Sequence, residues 1–147
     1  MGLTLLDSSA AIAYIDRDDK LHSAAVTEIE AAVRGGSALA ISAVSWAELL
    51  HGAFIGHHDE SDFRELVADF GIAILPVDES VAERAAELQA RFARSGPRGT
   101  RRKLRTPDAL ILATADLEPD LDAVIAGDDQ WPTVPDVRPR IELLEKR

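Results

Sequence analysis

The segment Leu3-Thr4-Leu5-Leu6-Asp7-Ser8-Ser9-Ala10-Ala11-Ile12-Ala13-Tyr14-Ile15 decides the fold class. Leu3–Leu6 is an apolar run of strand length that stops at Asp7-Ser8-Ser9, and Ala10–Ile15 is apolar at helical length. The pattern is that of a buried strand feeding a helix through a hydroxyl N-cap.

The same alternation recurs outward along the chain. Leu21–Arg34 reads as helix stopped by Gly35-Gly36, Ala38–Ile41 as a second buried strand, and Val44–Phe54 as a helix. On that helix Trp46, Leu49, Leu50 and Phe54 are expected in the core, the alternative being a groove for a partner's amphipathic helix. Gly56–Glu60 is a loop. Phe63, Leu66, Val67 and Phe70 repeat at helical spacing, Gly71 ends that helix, and Ile72–Leu75 is a third strand closed by Pro76. Asp78-Glu79-Ser80 caps a helix to about Arg94, which Ser95–Gly99 breaks. Thr106-Pro107 opens the next helix, over Asp108–Leu117, with Thr106 as its cap. Ala123–Ala126 is a fourth strand, Gly127-Asp128-Asp129 a turn, and Val134–Val137 a short last strand. Four or five short apolar strands alternating with helices predict an α/β sandwich around a mostly parallel sheet, as a single domain over residues 1–147.

Composition agrees. A chain of 147 residues, 46% hydrophobic and 29% charged, buries roughly 68–70% of its unfolded surface and folds without disulfides or a structural metal. The absence of cysteine excludes disulfides, thiolate zinc sites and cysteine nucleophiles, and fits a reducing cytoplasm. An acid, Asp7, comes before any signal-length apolar region, and no later run approaches the ~18 residues of a membrane span, so a cytoplasmic protein is expected. The formal charge of −10 argues against non-specific nucleic-acid binding through overall charge. Its distribution is uneven, however. Between Arg84 and Arg105 eight basic residues face one acid, Glu87, leaving that stretch at +7 and the rest at −17. A local anion site is compatible with an acidic protein.

Four acids fall where ligands bind in such folds, at the carboxyl ends of the strands. Asp7 ends the first strand and Asp128 follows the fourth. Glu48 lies in the early turns of one crossover helix and Asp108 in the first turn of another, both at the same edge. Taken singly, each has a structural explanation as a cap, a turn residue, a helix former or a partner of a helix dipole. Together they would repel one another without a compensating cation. Oxygen-only ligands suit Mg²⁺ or Mn²⁺.

These residues lie in four blocks: Leu5-Leu6-Asp7-Ser8-Ser9, Ser42–Gly52 around Glu48, Thr106–Ala115 around Asp108, and Val124–Trp131 around Asp128. In this order the blocks cover nearly the whole chain, and the sequence resembles the PIN-domain family, specifically the VapC-like ribonuclease toxins of bacterial type II toxin–antitoxin pairs. The resemblance implies a PIN-like three-layer sandwich and a Mg²⁺- or Mn²⁺-dependent endoribonuclease acting on RNA. It also implies a cognate antitoxin, a homodimer, and DNA contact only through the antitoxin. Asp7, Glu48, Asp108 and Asp128 match the family's acidic quartet. Many members carry another acid where Gln130 stands, which makes Asp129 the reserve for the fourth ligand. Asp116, eight residues beyond Asp108, is read as solvated.

Phosphodiester cleavage needs an attacking water, charge neutralisation on the phosphoryl oxygens and a stabilised leaving alkoxide. Asp7, Asp108 and Asp128 are expected to hold metal, and Glu48 to share it or to orient the water, leaving 5′-phosphate and 3′-hydroxyl ends. Ser9 and Thr106 border the acids as hydrogen-bonding groups. Arg101, Arg102, Lys103 and Arg105, in the basic loop that begins at Arg98, are candidates for RNA phosphates, the alternatives being a solvated loop or a docking surface. His51, His57 and His58 lack the spacing of a helical zinc pair, His22 is remote, and all are read as surface or loop residues. No phosphate-loop, nucleophile-elbow or dinucleotide fingerprint occurs. The competing interpretation is a non-catalytic PIN-like module that binds RNA or protein.

Overall fold

The computed structural model describes residues 2–97 and 100–146; Arg98, counted above in the basic loop, lies outside the described residues. The strands β1 (Leu3–Leu6), β2 (Ala38–Ser42), β3 (Ala73–Leu75), β4 (Leu121–Ala126) and β5 (Arg140–Leu143) form one sheet in the order β3-β2-β1-β4-β5. Every pairing in it is parallel. The helices are α1 (Ser8–Ile15), α2 (His22–Arg34), α3 (Ala43–Phe54), α4 (Glu60–Phe70), α5 (Glu79–Arg94) and α6 (Thr106–Leu117), with a 3-10 turn at Trp131–Thr133.

Side chains alternate across a strand, so the central strands feed two apolar layers. Leu5 and Val124 pack with Leu88 and Phe92 of α5 and Leu112 of α6. Leu6 and Ile125 pack on the other face with Ala11 of α1, Ile29 of α2 and Phe63 of α4. Apolar character on both faces of β1 and β4 is what a parallel sheet covered by helices on each side requires. Each large side chain fully buried there contributes about 1.5–3 kcal/mol relative to exposure. This is the three-layer sandwich.

Local signals hold where capping groups act. Ser42 accepts from Val44 N at the start of α3, and Asp78 accepts from Val81 N at the start of α5. Gly71, at φ 62°, closes α4 in the left-handed conformation that glycine adopts without penalty.

Several expectations are corrected. The residue at the N-cap of α1 is Asp7 itself, not a hydroxyl, and it makes no side-chain cap bond. The N-cap of α6 is Arg105; Thr106 is already helical. Val134–Val137 is not a strand: it contains Pro135 and turns at Asp136, φ 64°. The last strand forms later, over Arg140–Leu143, where alternating polar and apolar residues suit a sheet edge. Asp116 is not solvated. Its side chain is 10% exposed, pairs with Arg84 Nε at 2.9 Å and accepts from Arg138 N at 2.7 Å. Phe54 is not in the core but 68% exposed, with Ile55 beside it at 54%.

Candidate active site

Chain order reverses across β1 and β4: the chain runs from β1 outward through β2 to β3, then returns to β4 on the other side of β1. The carboxyl ends of these two strands therefore flank a topological switch point, where α/β sheets open a crevice. Their ends are stitched together. Asp7 N donates to Ile125 O at 3.0 Å, and Gly127 N donates to Ser9 Oγ at 3.0 Å. Ser9 Oγ in turn donates to Asp7 Oδ2 at 2.8 Å. Gly127 permits this approach, because a Cβ there would stand 3.1 Å from Leu21 Cδ1 and 3.2 Å from Ser9 Oγ. Ser9 thus orients Asp7 and anchors the loop that leads to Asp128.

Two of the other acids come to the same edge by helix direction, and Asp128 by following the end of β4. Crossover helices begin where strands end, which puts Glu48 of α3 and the first-turn Asp108 of α6 beside Asp7. Ser8 Oγ reaches Glu48 Oε1 at 3.5 Å. The Asp108 carboxylate is 13% exposed and meets Arg105 Nε at 3.4 Å. Asp128 accepts from Gln130 N at 2.8 Å, a turn that fixes its carboxylate, and the buried Trp131 anchors the segment after it.

The carboxylates perturb one another. Burial raises the Asp7 pKa; Ser9 opposes this, and the charge of Asp108 adds to it. Partial burial likewise raises Glu48, helped by the charges of Asp7 and Asp108 and opposed by Arg105 and Ser8. Asp108 is also raised, first by burial, with Arg105 opposing and Asp128 adding. Asp128 therefore acts on the group, whereas Asp129 is exposed and does not contribute to these shifts. Raised carboxyl pKa values mean that the site holds its negative charge at a cost, which a divalent cation would offset. Among the described residues no three His, Asp or Glu side chains converge tightly enough to enclose an ion by themselves.

The basic stretch divides into two parts. Arg84 is committed to Asp116, Glu87 and the carbonyl of Asp136, and Arg91 pairs with Asp136 at 2.6 Å. Arg102 is also committed: its guanidinium lies 4.1 Å from the Phe92 ring centre and donates to Ser95 and Thr133. It pins the loop rather than facing outward. Arg101, Lys103 and Arg105 are exposed, and Arg105 alone contacts an acid of the quartet. Thr106 is exposed and its hydroxyl accepts from Gln89 Nε2 at 3.2 Å.

A feature missed at the sequence level lies on the other flank of Glu48. There, His51, His57 and His58 line a groove of about 390 Å³ with Glu48 and the aliphatic side chains of Ile12, Leu49 and Ile55. Linear spacing hid it, since the histidines meet only because the chain doubles back at Gly56, φ 87°. A cavity of about 560 Å³, lined by Thr4, Ser37, Asp122 and Arg138 among others, opens at the opposite sheet edge, away from the acids. Among the described residues no helix is long and apolar enough to cross a membrane.

No curated protein matches the chain. Its fold is similar to that of VapBC2 from Rickettsia felis, solved bound to a DNA fragment from its promoter (16% identity, 97% of this chain and 99% of that one, TM-score 0.73). VapBC-5 of Mycobacterium tuberculosis, a member of the VapBC family of toxin–antitoxin systems, is 25% identical over 99% of each chain, with a TM-score of 0.62. VapC20 of the same organism, a sarcin-ricin loop cleaving toxin, is 16% identical over 93% of this chain and 98% of that one, with a TM-score of 0.67. The PIN domain family model matches residues 4–137. By that match, which takes in Asp7, Glu48, Asp108 and Asp128 alike, the chain belongs to the PIN domain family.

Proposed function

We propose that this PIN-domain protein is a Mg²⁺- or Mn²⁺-dependent endoribonuclease and the toxin of a toxin–antitoxin pair. The observation that carries this reading is the quartet at the switch point, where burial and the charges of neighbouring acids raise the pKa of Asp7, Glu48 and Asp108 from their ordinary values. A binding module has no chemical use for carboxylates that destabilise it. Likeness of fold to VapBC complexes and to an RNA-cleaving VapC toxin supports the same direction.

Asp7, Asp108 and Asp128 would hold the cation, with Glu48 sharing it or acting on water. Such an ion supplies charge neutralisation on the phosphoryl oxygens and the leaving alkoxide. Ser9 keeps Asp7 in one orientation through its 2.8 Å hydrogen bond. Glu48, with its raised pKa and its place at the rim, orients the attacking water and accepts its proton. In-line attack on phosphorus leaves 5′-phosphate and 3′-hydroxyl ends. Arg101, Lys103 and Arg105 offer charge to RNA phosphates beside the acids, whereas Arg102 is engaged within the protein. In this reading the protein is cytoplasmic, forms a homodimer, is neutralised by a cognate antitoxin and meets DNA only through that partner.

The second reading is a non-catalytic RNA- or protein-binding PIN module, favoured by the open spacing of the acids. The deciding experiment incubates purified, antitoxin-free protein with total bacterial RNA in Mg²⁺, Mn²⁺ or chelator, beside Asp7→Asn, and maps the new ends. Discrete 5′-phosphate ends that need both metal and Asp7 are expected. No new ends together with no calorimetric Mn²⁺ binding would move the assignment to the binding module.

A further inference from the structure

The groove beside Glu48 is built by a fold-back. Helix α3 ends at Phe54, Gly56 reverses the chain, and His57 N donates to Gly52 O at 2.9 Å, which lays residues 57 and 58 alongside the helix. The ring of His58 is held edge-on by Phe63 of α4, 5.7 Å between centres at 74°. Gly52 leaves the floor open: a Cβ there would come only into ordinary contact, 3.8 Å from His58 Cδ2.

The lining selects one part of a nucleotide. Aliphatic side chains and imidazole rings surround about 390 Å³, at the small end of the range for small-molecule sites. The carboxylate on its wall is Glu48, which repels a phosphate, so the sugar–phosphate chain belongs outside the groove, toward Arg105, whose charge acts on both Glu48 and Asp108. A planar, uncharged, stackable group fits, and imidazole nitrogens can both donate to and accept from its edge. Because Glu48 lines both the groove and the acidic site, whatever occupies the groove lies next to the scissile position.

We infer that the groove between His51 and His57–His58 holds an unpaired nucleobase flanking the scissile phosphate, and so sets which base the enzyme tolerates there. The inference rests on the nuclease reading for its substrate, RNA with a splayed-out base. A double-stranded site would not present one.

The test is binding of fluorescein-labelled single-stranded RNA decamers, one of random sequence and four homopolymers, to full-length protein carrying Asp7→Asn to stop cleavage. Gly52→Leu, which fills the groove, and the exposed pair His51→Ala/His57→Ala are added separately, with circular dichroism to verify folding. Removing one stacked base should weaken random-sequence binding about tenfold and erase the differences among homopolymers. Affinity and preference unchanged in both variants would overturn the inference and leave the groove to a protein partner. End-mapping without the Asp7 change separates the two readings. Cleavage by the parent, with RNA binding insensitive to the groove variants, sinks only the base site; groove-sensitive RNA binding without cleavage sinks the nuclease reading and the scissile placement with it, and leaves a groove that binds a base in a non-catalytic module.

Discussion

Asp7→Asn should move thermal stability in opposite directions with and without metal. Asp7 is 6% exposed and near Asp108, and burial keeps its carboxyl pKa raised despite hydrogen bonds from the Ser9 hydroxyl and from the backbone N–H groups of Ser8 and Ser9. Asparagine keeps an oxygen for that hydroxyl and removes the buried charge. Relief of an undercompensated buried polar group is worth about 1–3 kcal/mol, and a chain of this size melts about 2–4 °C higher per kcal/mol. In chelator the variant should therefore melt about 2–12 °C above the parent. With Mn²⁺ at a hundred times its dissociation constant, the parent gains about 2.7 kcal/mol, or roughly 5–11 °C by the same conversion. The variant, missing a ligand, should gain little. The assay is melting by circular dichroism in chelator and in graded MnCl₂, with ionic strength matched by choline chloride. A variant that melts below the parent in chelator, or that keeps the parent's full metal increment, would refute the reasoning.

Three further outcomes follow from the same geometry. Because the folded pKa values of Asp7, Glu48 and Asp108 are raised, their contribution to stability is full below the ordinary carboxylate range and is lost as pH rises through the shifted values. In metal-free melts the advantage of Asp7→Asn should accordingly grow with pH across that window, and a constant or shrinking advantage would contradict the sign. Arg101→Gln/Lys103→Gln should reduce the slope of log affinity against log salt for single-stranded RNA by about 1.4, two contacts at about 0.7 each; an unchanged slope would return the loop to solvent. Asp116→Ala breaks a largely buried pair, since Arg84 and Asp116 are 17% and 10% exposed. It also strips Arg138 N of its acceptor. A loss of about 2–3 kcal/mol in urea unfolding is expected, and a loss under 1 kcal/mol would show that solvent already screens the pair.

What could be read in advance depended on how local the determinants were. Strand β1 and the placement of Asp7 follow from a four-residue apolar run and the polar break after it. Glu48 and Asp108 follow from helix starts, because helix direction in a parallel sheet is not a free variable. Edge strand β5 was missed because its four residues alternate and carry two charges, while the more apolar Val134–Val137 is interrupted by proline. Asp116 was misread because its partner, Arg84, is 32 residues away on α5, a distance no helical periodicity spans. Arg102 was grouped with its basic neighbours, although Phe92 and Thr133 claim its guanidinium. Phe54 fits the spacing of a buried helix face but is the last residue of α3 and is left exposed there.

The balance at the acidic site is decided by sign rather than by size. Arg105 is the cation that acts on both Glu48 and Asp108, and it lowers both. Yet both remain raised, so burial and neighbouring acids outweigh it. That outcome is physically reasonable, because Arg105 is 67% exposed and its 3.4 Å contact spans only three residues of sequence. An exposed pair of this kind contributes at most about 1 kcal/mol. Ser9 and Ser8 donate hydrogen bonds but carry no charge, and the basic residues that could neutralise the quartet are either spent elsewhere, as Arg84, Arg91 and Arg102 are, or face solvent. The protein thus assembles four carboxylates at its switch point without supplying enough positive charge of its own to satisfy them. A divalent cation would offset that deficit, so under the proposed function metal-dependent stability and metal-dependent cleavage are expected to report on the same residues.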